Sequence, residues 1–215
     1  MRSLFGVSAF SGKVAVLSGA CHPLGRALAR RLAGFGALVV AIDRRAEPLY
    51  ALAKDAPQRI EPLALDLSSA AARGILAEAW EREPVHALYD LSALAGEAPL
   101  SVALERSAGI LEALTPGLRA GRGRAVLALP GAGKPALAAA LAALLKDRDA
   151  ALAPARLHGL RLPAGTEGWT EARCMSSGDL MLALTHPVTR GLAGGRVLTE
   201  RAETGTTGKE RDGDG

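Results

Sequence analysis

The sequence predicts an α/β fold that is doubly wound, with helices on both faces of a mainly parallel sheet of seven strands. Short apolar runs alternate along the chain with longer segments of helical periodicity, a pattern typical of parallel strands joined by crossover helices. The run at residues 37–42 is apolar throughout, as expected of a strand buried on both faces. No internal repeat or linker divides the chain. We therefore expect one domain over residues 1–201 and a disordered tail over 202–215, where almost nothing is apolar.

The first half of the chain is predicted to hold four strands and the helices between them. The strands are expected at residues 13–18, 37–42, 59–65 and 85–91. Leu24, Leu28, Leu32 and Phe35 fall at helical spacing and predict the first helix. An outer helix is expected between the second and third strands. Ser68 is predicted to cap the amino terminus of a further helix that runs to about residue 80.

The second half is predicted to continue the same alternation. Helical periodicity extends over residues 100–118, and the helix is expected to break at Thr115–Pro116–Gly117. A fifth strand at 124–129 precedes a helix that begins after Pro135. The last two strands are expected at residues 155–162 and 196–198, with a helix at 178–184 between them.

Composition excludes several classes of protein. The chain has 215 residues, of which 49% are apolar, so it is not wholly disordered, and its two cysteines exclude a disulfide scaffold or a cysteine-rich zinc module. The formal net charge of +4 is too small to indicate nucleic-acid binding. No segment reaches the roughly 18 apolar residues of a membrane helix. An export signal after Arg2 is disfavoured because Lys13 interrupts it, so we expect a cytoplasmic protein with no nucleic-acid or membrane partner.

The most specific local feature is the loop from Ser18 to Gly25, between the first strand and the first helix. Glycines in such a loop let the backbone turn sharply and approach a pyrophosphate, and the helix amino terminus offers unpaired N–H groups to its oxygens. Asp43 lies eighteen residues beyond Gly25, at the end of the second strand, where an acid that binds ribose hydroxyls is expected. Together these features predict a dinucleotide site of the Rossmann type.

These motifs resemble those of the short-chain dehydrogenase/reductase family. The family's fingerprint is Thr-Gly-x-x-x-Gly-x-Gly; here Ser18 replaces the threonine, Gly19 and Gly25 match, and Pro23 replaces the middle glycine. Further resemblances are Asp66-Leu67-Ser68, Pro163-Ala164-Gly165-Thr166, and residues 192–198 at the entry to the last strand. The resemblance extends from about residue 10 to residue 201.

The resemblance implies that the chain binds NAD or NADP. Asp43 favours NAD, because a carboxylate repels a 2′-phosphate, whereas Arg44 and Arg45 would instead receive that phosphate. Pro23 lacks an N–H and alters the phosphate contact, and the alternative interpretation of this loop is a tight turn that binds nothing. The expected cofactor-binding residues are Ser18, Gly19, Cys21, His22, Leu24, Gly25, Asp43, Arg44, Asp66, Leu67, Ser92, Pro163, Gly165 and Thr166.

The catalytic residues that the family places around strand five are missing. Its Tyr-x-x-x-Lys pair passes a proton while hydride moves, but the residue four positions before Lys134 is Pro130, so Lys134 is only a weak catalytic candidate. The serine at the end of that strand is also absent, and the chain contains no asparagine. Tyr50 and Lys54 have the correct spacing, but on the outer helix between strands two and three. We interpret that pair as part of a surface helix.

Three functional hypotheses follow. The first is a catalytically degenerate subunit that binds NAD(P), and assembles with itself or with a related chain through the helices at 100–118 and 136–145. The alternative use of those apolar faces is simply to cover the sheet. The second is an active oxidoreductase on a carbonyl or alcohol, using non-standard groups with Lys134 on the ribose; the candidate groups are Tyr89, Asp90, Ser92 and Thr166. The third is a nucleotide-sensing regulator.

Two other patterns are weak. Residues 130–134 resemble a phosphate-binding P-loop, but Ala128 and Pro135 stand where that motif needs glycine and a magnesium-binding hydroxyl. Cys21 and His22 are adjacent and have no further ligand pattern, so we expect no metal site.

Overall fold

The protein contains a parallel sheet of seven strands with helices on both faces, as the sequence predicts. The computed structural model describes residues 8–94, 96, 98–186 and 194–200. The spatial order is β3-β2-β1-β4-β5-β6-β7, and every neighbouring pair is parallel. The strands are β1 Val14–Ser18, β2 Leu38–Asp43, β3 Ile60–Ala64, β4 Ala87–Asp90, β5 Arg124–Leu129, β6 Arg156–Arg161 and β7 Arg196–Thr199.

Six α-helices within the described residues cover the two faces of the sheet. Helices α1, α2 and α6 contribute to one apolar cluster, and α3, α4 and α5 to the other. The helices are α1 Pro23–Gly34, α2 Ala46–Ala53, α3 Ala70–Ala79, α4 Leu100–Ala120, α5 Pro135–Leu152 and α6 Glu171–Thr185, and a 3₁₀ turn spans Thr166–Gly168. None of these helices is long and apolar enough to cross a membrane.

The cap of α3 lies one residue later than predicted. Ser69 is the N-cap, and its hydroxyl accepts a hydrogen bond from the Ala72 N–H. Ser68 instead donates its N–H and its hydroxyl to Asp66 Oδ1, at 3.0 and 2.7 Å. A serine that follows an aspartate by two residues closes a local turn of this kind, and so it is not available as a cap.

Helix α4 does not break at Thr115–Pro116–Gly117, so that prediction is wrong. The helix continues to Ala120 with Pro116 inside it. Pro116 is exposed on the outer side of the helix, and the hydroxyl of Thr115 donates to the Leu111 carbonyl at 2.7 Å. Packing of Ile110, Leu114 and Leu118 against the sheet outweighs the loss of one backbone hydrogen bond at the proline.

Helix α6 begins seven residues before the predicted start at residue 178. Thr170 is its N-cap and accepts a hydrogen bond from the Arg173 N–H at 3.3 Å. The segment between Thr166 and Ser177 is therefore mostly a 3₁₀ turn and the first turns of a helix. The tail at 202–215 and residues 192–193 of the last motif lie outside the described residues.

The sheet topology determines where a ligand can bind. From β1 the chain proceeds outward through β2 to β3, and it then returns to the other side of β1 to form β4. Such a reversal leaves a crevice beyond the carboxyl ends of the two central strands, where open α/β sheets bind their ligands. Ser18 and Asp90 end these two strands and are paired in register.

Candidate functional site

The turn between β1 and α1 needs glycine at two positions for steric reasons. Gly19 has φ +69°, and a Cβ there would lie 3.0 Å from the carbonyl carbon and oxygen of Leu91. A Cβ on Gly25 would lie 2.5 Å from the Gly19 carbonyl oxygen and 2.9 Å from that of Ala20. The first turn of α1 therefore sits directly on the loop backbone, as in dinucleotide-binding βα turns.

The imidazole of His22 occupies the amino terminus of α1. Its Nδ1 accepts a hydrogen bond from the Leu24 N–H at 3.2 Å, which caps the helix and leaves the ring proton on Nε2. Nε2 then donates to the Thr166 hydroxyl at 3.1 Å, so the ring joins the first loop to the segment that follows β6. The His22 N–H donates to the Gly19 carbonyl. Because Pro23 has no N–H, none of the amides of residues 22–24 remains unpaired.

The histidine is neutral at physiological pH. It is only 3% exposed, and burial lowers its pKa to about 4 despite the nearby Glu167 carboxylate. A neutral ring can accept at Nδ1 and donate at Nε2 at the same time, whereas a protonated ring would lose the contact with the Leu24 N–H. Protonation of His22 at acid pH therefore breaks the hydrogen bond that caps α1.

Replacing His22 by asparagine is expected to remove one component of the acid sensitivity of the fold. The folded pKa lies below the ordinary value near 6.5, so the unfolded chain takes up a proton first, and stability is lost as the pH falls from 6.5 towards 4. Relative to the variant, whose asparagine still caps the helix, the native chain should lose about 3 kcal/mol across that range. Urea unfolding of both proteins at pH 7, 5.5 and 4 measures this difference, and a constant difference would contradict the assignment.

The carboxylate of Asp43 is fully engaged. Oδ1 accepts from the N–H and Nε of Arg45, both at 3.1 Å, and Oδ2 accepts from the Cys21 N–H at 3.0 Å and from Arg45 Nη2 at 3.3 Å. Burial raises the pKa of Asp43, but the hydrogen bonds from Arg45 and Cys21 outweigh it and hold the pKa below its ordinary value. The expected ribose-binding acid is thus at the predicted place but already paired with a guanidinium.

These groups surround a cleft of about 400 Å³ beyond the carboxyl ends of β1, β2 and β4, which we call the first cleft. Four arginines line it, together with three carboxylates and an apolar strip of Ile42, Leu65 and Leu67. Its charged lining residues are Arg26, Arg44, Arg45, Arg106, Asp43, Asp66 and Glu167. The arginines exceed the carboxylates by one, and so this cleft favours an anionic ligand with a flat apolar part.

A second cleft of about 270 Å³ lies beyond the carboxyl ends of β4, β5 and β6. It shares two lining residues, Gly96 and Glu167, with the first cleft. Lys134 lines it and donates from Nζ to the Gly96 carbonyl at 2.7 Å. Glu167 accepts from the Gly96 N–H at 3.3 Å. Among the described residues that line this cleft, Thr166, Glu167 and Lys134 are the only side chains able to exchange a proton.

The fold brings most of the predicted cofactor residues together. Eight of them line the first cleft: Gly19, Cys21, His22, Asp43, Arg44, Asp66, Leu67 and Ser92. Three line the second cleft: Pro163, Gly165 and Thr166. Ser18, Leu24 and Gly25 lie behind the surface and shape the loop. Sequence analysis missed Arg26, Arg106 and Glu167, whose only signal was their charge.

Two of the alternative catalytic groups do not face either cleft, and their proposed role is corrected. Tyr89 is 0% exposed, hydrogen-bonds with the Thr185 hydroxyl, and has its pKa raised by burial. Asp90 accepts from the Ser18 hydroxyl and the Ser92 N–H, and is also buried. Strand alternation directs Tyr89 into the core beneath α6. Neither group can reach a substrate in this arrangement.

The Tyr-x-x-x-Lys pair on the outer helix is separate from both clefts. Tyr50 lies on α2 and is 52% exposed, and Lys54 caps the carboxyl end of that helix. In the part of the chain that the structure describes, no cluster of three or more histidine, cysteine or acidic side chains is arranged to hold a metal ion. Cys21 and Cys174 are buried free thiols.

No family model matches the sequence, and no curated protein matches it significantly. Solved structures match it in fold. A hydroxysteroid dehydrogenase from Escherichia coli aligns over 88% of this chain and 95% of its own, with a TM-score of 0.76 and 18% identity. A glucose dehydrogenase of Caenorhabditis elegans in its apo form aligns over 89% and 96%, with a TM-score of 0.73 and 19% identity. A protein named as a short chain dehydrogenase/reductase family member has a TM-score of 0.72 and 17% identity over 89% and 96%.

Proposed function

We propose that this chain, whose fold is that of the short-chain dehydrogenases/reductases, is a dinucleotide-binding protein that has lost the proton-transfer groups of an oxidoreductase. A bound nicotinamide would supply hydride chemistry. The observation that carries the proposal is the contrast between the two clefts. The first has the arginines and apolar strip that a dinucleotide needs, whereas the second has Pro130 where a proton donor would stand.

The first cleft fits the adenosine half of a dinucleotide. Ile42, Leu65 and Leu67 offer an apolar surface to a base, and the glycine contacts at the β1–α1 turn bring the backbone close to the position of the phosphates. Backbone donors are scarce because the amides of residues 22–24 are paired or absent. The Nε2–H of His22 is also used, because it donates to the Thr166 hydroxyl. We therefore assign the pyrophosphate to the guanidinium of Arg26, which lines the first cleft.

We further propose that NADP is bound more tightly than NAD, although Asp43 taken alone favours NAD. The Asp43 carboxylate already accepts four hydrogen bonds, three of them from Arg45, so a ribose diol must displace Arg45 to reach it. A 2′-phosphate would instead meet the guanidinium groups of Arg44 and Arg45, which border the same cleft. Arg45 remains half exposed on Asp43 and is free to make a second contact.

Calorimetric titration with NADPH and NADH tests this proposal. We expect NADPH to bind at least about tenfold more tightly, and Arg44→Gln and Arg45→Gln to reduce that preference by about tenfold each. Arg30→Gln is the matched control, because Arg30 lies on α1 but pairs with Asp55 on the surface. Equal affinities would contradict the assignment of the phosphate, and no binding of either cofactor would contradict the dinucleotide proposal.

The assembly role is the remaining part of the proposal. Leu137, Leu141 and Leu145 of α5 face the sheet core, so the apolar side of this helix covers the sheet. Its outer side exposes Ala136, Ala139 and Ala143 and permits close approach of another helix. Light scattering of the full chain tests assembly, and a monomeric mass would count against it.

A further inference from the structure

The geometry points to a second anion-binding site, at the edge of the sheet opposite the two clefts. A cavity of about 410 Å³, here called the basal cavity, opens at the amino ends of β1, β4, β5 and β6. Because the strands are parallel and five to six residues long, it lies roughly 17–20 Å from the dinucleotide-binding edge. Five nitrogen-bearing side chains line it: Lys13, His86, Arg122, Arg124 and Arg156.

Basic side chains, and no described carboxylates, line the basal cavity. No aspartate or glutamate is among its lining residues in the described part of the chain. Lys13, Arg122 and Arg156 make no ion pair with any described residue. Arg124 is only 7% exposed and donates from Nη1 to the Leu184 carbonyl at 3.3 Å. Like charges that line one cavity repel one another, and an anion bound among them would relieve that repulsion.

His86 adds a neutral donor to these cations. Its Nδ1 accepts a hydrogen bond from the Val14 N–H at 3.1 Å, which leaves the proton on Nε2. Burial, and then the charge of Lys13, lower the pKa of His86, so the ring does not add to the positive charge at neutral pH. Such a ring is held in place by the backbone of β1 and provides an N–H to an anion.

The backbone holds Arg122 at the tip of a tight turn. Its φ is +47°, in the left-handed region, and the glycines on either side pack against one carbonyl. A Cβ on Gly121 or on Gly123 would lie 2.3 Å from the Val85 oxygen. The Arg122 N–H donates to the Arg119 carbonyl at 3.2 Å. These contacts pack the turn against the Val85 carbonyl and leave no room for a side chain at Gly121 or Gly123.

The ligand class follows from these groups. Guanidinium groups bind phosphate oxygens through paired hydrogen bonds. Those of Arg122 and Arg156, with the Lys13 ammonium and the His86 N–H, suit a small anion carrying one or two phosphates. The site is a concave cavity and not an extended basic stripe, and so it favours a small molecule over a nucleic acid. This inference concerns a different edge of the sheet and does not depend on dinucleotide binding.

Calorimetry with inorganic pyrophosphate at constant ionic strength tests the site. We expect the Arg122→Gln/Arg156→Gln variant to bind at least about tenfold more weakly than the native chain. The Arg30→Gln variant, altered on the outer surface of α1 where Arg30 pairs with Asp55, is the matched control and should retain this binding. A titration with glycerol 3-phosphate distinguishes a phosphomonoester ligand from free pyrophosphate. No binding to the native chain at millimolar concentration, or equal binding by the Arg122→Gln/Arg156→Gln variant, would overturn the proposal.

A second measurement needs no variant. Phenylglyoxal modifies accessible arginines, and mass spectrometry locates the modified residues. We expect pyrophosphate to protect Arg122 and Arg156 several-fold, while chloride at equal ionic strength does not. Unchanged modification of both residues in saturating pyrophosphate, or equal protection by chloride, would overturn the site even if the variants fold poorly.

Discussion

Alanine at Gly25 is expected to abolish dinucleotide binding and to lower the free energy of unfolding by about 3 kcal/mol. The new Cβ would lie 2.5 Å from the Gly19 oxygen and 2.9 Å from the Ala20 oxygen, and both are backbone atoms that cannot rotate away. The first turn of α1 would have to move off the loop, which would also displace His22 from its cap. Urea unfolding measures the stability, and titration with NADPH measures the binding.

Gly34→Ala in the same helix is the control for this experiment. Nothing lies within 4 Å of a Cβ at Gly34, and a helical alanine in place of glycine raises stability by about 0.5–1 kcal/mol. If the free energy of unfolding falls for Gly25→Ala and rises for Gly34→Ala, then the steric contact with the Gly19 and Ala20 oxygens, and not helix propensity, requires glycine at position 25. A Gly25→Ala protein that is as stable as the native chain and binds NADPH normally would contradict the structure of this turn.

The second large effect is on catalysis. With NADPH and a panel of aldehydes and ketones, we expect turnover roughly 100- to 10,000-fold below that of a dehydrogenase with a positioned general acid, assayed in parallel. The reason is that no phenol borders the second cleft in the described part of the chain. Tyr89 cannot substitute, since it is buried beneath α6. Absorbance at 340 nm follows NADPH consumption, with NADPH binding measured separately on the same preparation.

Three variants make this prediction decisive. If the second cleft is inactive, then Thr166→Val, Glu167→Gln and Lys134→Ala leave the residual rate unchanged. A measurable turnover that falls at least tenfold in one of them would show that the chain is an active oxidoreductase with an unusual proton donor. That result would leave the assignment of the dinucleotide to the first cleft intact.

Most of the fold could be predicted from local pattern. Strand β5 has the predicted bounds, β1 begins one residue later than predicted, and β2 is shifted by one residue at both ends. The errors arose where short-range and long-range effects compete. Ser68 and Ser69 are equally good caps by residue type, and the turn at Asp66 decided between them. Pro116 signalled a break, but the core contacts of α4 continue past it.

The position of the first cleft follows from the sequence, whereas the pairing of its polar groups does not. The order of strand, glycine loop, helix and terminal acid located the first cleft, because those elements are close in sequence and have characteristic spacing. The contact between His22 and Thr166 joins residues 144 positions apart, and no rule of sequence spacing predicts such a contact. The same holds for Arg106, which reaches the first cleft from α4.

By itself, then, the amino-acid order determined the α/β class, the sequence of elements and the proline four residues before Lys134, since each of these depends on residues near one another in the chain. Only the tertiary structure decided which donors and acceptors are already paired. It paired Asp43 with Arg45, capped α1 with His22, and gathered five nitrogen-bearing side chains from separate segments into the basal cavity. The physical reason is that a hydrogen bond or an ion pair depends on distances of about 3 Å in space, which are set by how the strands and helices pack.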